Sequence, residues 1–90
     1  MHTKKKESLK DLQRIPGVGI SLSEDLWNIG ITCVEDLKGQ NPERLYKDIC
    51  LFQKAQVDRC VLYVFRCAVY FAEEPNPKQE LLKWWNWKDT

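Results

Sequence analysis

The chain has 90 residues, 43% of them hydrophobic and 30% charged, and its 14 basic and 13 acidic side chains leave a net charge of +1. That length suits one domain with a modest core, and the composition is that of a folded chain rather than a disordered one. The near-zero net charge excludes a strongly basic nucleic-acid coat and a polyanion mimic alike.

The charge is uneven along the chain. The first fourteen residues carry five basic and two acidic side chains, and residues 15–50 carry three basic and six acidic. Lys4, Lys5 and Lys6 are followed by Glu7 and Ser8 instead of an apolar run, so no secretory leader is expected. Residues 1–7 read as a basic flexible tail, and residues 8–88 as one helical domain.

Ser8 is positioned to cap a short helix with Leu9, Leu12 and Ile15 on one face, and Pro16 ends it. Gly17-Val18-Gly19 predicts a tight turn into a second helix striped by Leu22, Leu26 and Ile29, with Gly30 as its left-handed terminus. Thr32 to Glu35 predicts a capping box for a third helix ending near Gly39. Asn41-Pro42 starts a fourth helix through about Phe52, with a stripe of Leu45, Ile49 and Phe52 and a bend near residues 53–55. Ala55 to Glu74 has no glycine or proline and predicts a long helix. Its Val57, Cys60, Val61, Val64, Cys67, Ala68 and Phe71 share one face, opposite Arg59, Tyr63, Arg66 and Tyr70. Asn76-Pro77, with Gln79 behind it, predicts a final helix. The expected fold is therefore all-α, a compact bundle of five to six helices.

Leu12 to Gly19, followed by Leu26, Gly30, Ile31 and Val34 to Leu37, is similar to a helix-hairpin-helix motif. The segment Asp58 to Tyr70 and the ending Leu82 to Asp89 extend the likeness across almost the whole chain, which resembles the bacterial pathogenicity-locus family of small helix-hairpin-helix proteins. The resemblance implies one such unit over residues 8–39, a helical remainder over 41–88, and no established reaction. In helix-hairpin-helix proteins generally the hairpin grips nucleic-acid backbone without reading sequence. Carried onto this chain, the contacts are the amides of Val18, Gly19, Ile20 and Ser21 after Gly17, helped by Lys10 and Arg14. Two features depart from that pattern. Residues 15–37 contain Glu24, Asp25, Glu35 and Asp36 but no basic residue, and only one Gly-x-Gly is present.

Other constellations point to less. Cys33, Cys50, Cys60 and Cys67 lack metal-ligand spacing. Cys60 and Cys67 are separated by two helical turns, about 10.5 Å, beyond the roughly 7 Å reach of a disulfide. They are expected to be buried thiols, with no metal and no cofactor. The one histidine is His2, so no cysteine has an evident base, and no catalytic residues are assigned. Trp84, Trp85 and Trp87 either close the core or offer a patch to a protein partner. Arg59, Tyr63, Arg66 and Tyr70 form a second candidate surface, suited to phosphate and stacked bases or to an ordinary polar face. The longest apolar runs fall short of the roughly 20 residues that span a bilayer. A cytoplasmic protein without membrane contact is expected. The function expected is a non-enzymatic module making weak, sequence-independent nucleic-acid contact; the alternative is a protein-interaction module with a purely structural hairpin.

Overall fold

Four α-helices and three short 3-10 turns make up the computed structural model, which describes residues 2–89. The helices are α1 (His2–Leu12), α2 (Ile20–Asn28), α3 (Pro42–Gln53) and α4 (Cys60–Glu73). The 3-10 turns are Val34–Leu37, Gln79–Leu82 and Trp84–Trp87. No strand occurs among the described residues, so the all-α expectation holds.

α1 begins at His2, six residues before the Ser8 cap expected of it. The lysines and Glu7 are good helix formers and extend the helix toward the N-terminus. Of the expected tail, Met1 lies outside the described residues. α2 follows the sequence reading closely: Gly19 is its extended N-cap, and Gly30 has φ +95° just beyond its end. Asn41 caps α3, its Oδ1 accepting from the amides of Glu43 (2.9 Å) and Arg44 (3.4 Å). Asn41→Ala is expected to cost about 1 kcal/mol, read from a urea unfolding curve.

The expected third and final helices are 3-10 turns instead. Thr32 donates both its amide and its hydroxyl to Asp36 Oδ2, at 2.9 and 2.8 Å. The reach-back therefore comes from Asp36, while Glu35 points outward to Lys38. Val34 and Leu37, three apart and both buried, eclipse on one side as a 3-10 turn requires. At the C-terminal end Leu81, Trp84 and Trp87 repeat the three-residue period and are all half-buried.

The bend expected near residues 53–55 is a full helix stop. Lys54 is left-handed (φ 54°), and Ala55 donates back to Cys50 O at 3.1 Å. α4 starts only at Cys60, whose amide is accepted by Asp58 Oδ1 at 2.9 Å. α4 is the axis of the fold, packed by α3, by Val34–Leu37 and by both C-terminal turns. Packing on several sides widens its buried arc to Leu62, Phe65 and Val69 beside Val64, Cys67 and Ala68. Cys60, expected on that face, sits at the unpacked end and is exposed. Phe52, expected in the α3 stripe, is also exposed; Leu45, Tyr46 and Ile49 are the buried residues of that helix.

Candidate functional site

The link between α1 and α2 is wound tightly by its own backbone. Arg14 and Ile15 donate to Asp11 O and Leu12 O, and Val18 donates to Ile15 O, at 3.0–3.1 Å. Gly17 has φ +88°, and Val18 inserts into the core with 6% of its surface exposed. The Val18 amide is thereby consumed internally, which removes it from the expected set of outward contacts. Gly19, Ile20, Ser21 and Leu22 have no hydrogen-bond acceptor for their amides among the described residues; the first backbone bond of α2 is Ser23 N to Gly19 O. No side chain caps this end and no carboxylate lies in the first turn. Ile20 and Ser21 are exposed. The result is a cluster of N–H groups at the positive end of a helix dipole.

The charges around it are partly spent. Lys10 is exposed and forms no ion pair among the described residues. Arg14 Nη1 pairs with Asp11 Oδ1 at 2.7 Å, while Asp11 Oδ2 accepts from Val34 N at 2.8 Å. The Val34 amide and the Arg14 guanidinium together hold the Asp11 carboxyl below its ordinary range, against a smaller upward push from burial. Lys5 lies over the Trp27 ring at 5.9 Å, so the basic end of α1 runs beside α2. Of the two acidic residues that oppose an anion here, Asp25 accepts from Gln53 Nε2 at 3.1 Å, and burial raises its carboxyl pKa. Glu24 is exposed and unpaired among the described residues.

The second candidate surface is brought together but covered. Arg59 Nε meets Asp89 Oδ2 at 2.7 Å, and Arg66 reaches Asp89 (3.0 Å), Glu43 (2.9 Å) and the Trp87 carbonyl (2.7 Å). Tyr70 stacks obliquely on Trp87, and its hydroxyl accepts from Lys78 N. The three tryptophans divide. Trp84 packs under the turn at Gly17, and Trp87 donates its indole N–H to Leu81 O at 2.7 Å. Trp85 stands half exposed, edge-on to Trp84 at 5.7 Å.

The cysteines are similarly divided. Cys67 is fully buried, and burial pushes its thiol up to about 11, while Cys33 and Cys50 are half-buried. No group of three or more metal-ligating side chains gathers among the described residues. No described helix is long and apolar enough to cross a membrane. A mixed-charge cleft of about 470 Å³ opens between Asp11, Arg14 and Lys38 on one side and Phe71, Pro75 and Pro77 on the other. The exposed pair Leu51 and Phe52 is a feature the sequence periodicity conceals, because the α3 stripe runs straight through Phe52.

Comparison with known proteins adds one finding: residues 5–90 match the pathogenicity-locus family, Cdd1. No curated protein and no solved structure matches the chain significantly.

Proposed function

The chain belongs to the pathogenicity-locus family, and we propose that it is a non-enzymatic helix-hairpin-helix module that contacts nucleic-acid backbone weakly and without sequence preference. The observation that carries this reading is the run of amides from Gly19 to Leu22 that find no acceptor among the described residues, at an α2 terminus with no side-chain cap and no first-turn carboxylate. Gly17 shapes the turn, Val18 anchors it, and Gly19, Ile20 and Ser21 face the phosphate. Lys10 supplies long-range attraction, and Arg14 less, since Asp11 already holds it. The setting proposed for this module is the cytoplasm, where cysteines usually stay reduced.

Binding of a labelled DNA duplex, followed by anisotropy, tests the proposal. The expected dissociation constant is no tighter than the roughly 10⁻⁴–10⁻⁶ M of non-specific contacts. Neutralising about two to four phosphates predicts a log–log salt slope near −2 to −4. Glu24→Lys should tighten binding and steepen the slope, and Ser21→Glu, which sets a carboxylate on the free amides, should weaken it. If wild type and Glu24→Lys both show no salt-sensitive binding, the hairpin is a packing device. The second reading, a protein-interaction module, then takes over. It is favoured by the exposed apolar side chains of Ile20, Leu51, Phe52 and Trp85.

A further inference from the structure

In the C-terminal segment the side-chain carboxylate of Asp89 is seated on two arginines. Asp89 Oδ2 accepts from Arg59 Nε at 2.7 Å and from the Tyr63 hydroxyl at 3.4 Å, and Asp89 Oδ1 lies 3.0 Å from Arg66 Nη1. Positions 59, 63 and 66 lie on one face in and just before α4. Arg66 has an anchor on another element, Glu43 Oε2 of α3, which takes its Nε and Nη2, while the Trp87 carbonyl beside Asp89 takes its Nη1. Its side chain is only 20% exposed. Arg59, by contrast, is 56% exposed and has Asp89 as its one ion-pair partner among the described residues. The cluster thus already holds one oxyanion, with Arg66 tethered to Glu43 as well.

We propose that Arg59, Tyr63 and Arg66 form a second phosphate-binding site, for which the Asp89 carboxylate is the built-in competitor. Its ligand is a backbone phosphate of a nucleic-acid strand. The proposal rests on the reading of the chain as a nucleic-acid module and supplies the second contact that a single hairpin lacks. Guanidinium forks bind phosphate through paired charge-assisted hydrogen bonds at least as well as they bind a carboxylate. With Asp89 seated, Glu43 and Asp89 balance the two arginines; with Asp89 displaced, one positive charge is uncovered for the strand. Asp58, next in sequence, is turned away to cap Cys60.

A fluorescently labelled oligothymidylate is the probe. Asp89→Asn should tighten its binding by about fivefold and steepen the salt slope by about 0.7, the value for one further phosphate on a single strand. Glu80→Gln makes the same charge change on the same segment, where the carboxylate has no partner among the described residues, and should leave the affinity within about twofold. Arg59→Gln added to Asp89→Asn should return the affinity to wild type. Equal gains from Asp89→Asn and Glu80→Gln, or a gain that survives Arg59→Gln, overturn the site. Should Asp89→Asn fail to fold, Arg59→Gln alone is compared with Lys54→Gln: a larger loss supports the site and an equal loss overturns it. Ser21→Glu separates the two readings. A gain from Asp89→Asn that needs Arg59 but is indifferent to Ser21→Glu keeps this site and overturns the hairpin contact.

Discussion

Replacing Phe65 by alanine is expected to lower stability by about 3–5 kcal/mol, the range for deleting a fully buried aromatic ring. Phe65 has no exposed surface and lies mid-way along α4, the helix against which α3, the Val34–Leu37 turn and both C-terminal turns pack. Elements on several sides cannot all move inward, so the cavity persists and its cost adds to the lost transfer energy. A domain of this size is stable by only about 5–15 kcal/mol, so the variant should lose a large fraction of its stability. Guanidinium unfolding followed by circular dichroism reads the change. Phe71→Ala, at a half-buried position on the same helix, should lose clearly less; equal losses would show that α4 is not the packing axis.

Gly17→Val is the second large effect. At φ +88° a β-branched residue is strained by about 1–3 kcal/mol. The added Cβ would also lie 3.0 Å from Trp84 Cδ1 and 3.6 Å from Val64 Cγ1, so the indole must shift as well. The other glycines separate these causes. Gly30 has φ +95° with nothing within 4 Å of an added Cβ, so valine there meets strain alone. Gly19 is extended (φ −95°) and equally open, so valine there should be tolerated. Melting temperatures should fall in the order Gly19→Val, Gly30→Val, Gly17→Val, from least to most harmed. Gly19→Val as damaging as Gly17→Val would refute the turn geometry.

The α2 amide cluster was legible from residue type because its cause is local. A glycine at the N-cap leaves helix amides without a side-chain partner, and Gly17 supplies the positive φ of the turn, whereas α1 already ends at Leu12, short of the Pro16 stop expected of it. Asn41-Pro42 was legible for the same reason: its hydrogen bonds close within three residues. The all-α class followed from periodicities of three and four and from an uninterrupted stretch, Ala55 to Glu74, too long for a strand.

Three features were decided by packing. Asn76-Pro77 has the same local grammar as Asn41-Pro42, yet the chain beyond it forms 3-10 turns. Trp84 packs under Gly17, Trp87 lies on Tyr70 of α4 and the Leu81 carbonyl meets Cys67 of α4, and a period of three aligns these positions where 3.6 would not. Cys60 and Cys67 look equivalent on a helical wheel, but only Cys67 lies where the C-terminal segment crosses α4. Arg59 and Arg66 read as free basic residues until Asp89, 30 residues beyond Arg59, arrives on both. The sequence by itself determined the start of α2, the Asn41 cap of α3 and the shape of the glycine turn, since each depends on groups a few bonds apart. Tertiary structure alone decided that Arg59 and Arg66 are paired, because ion pairing between distant residues depends on where the folded chain carries their side chains.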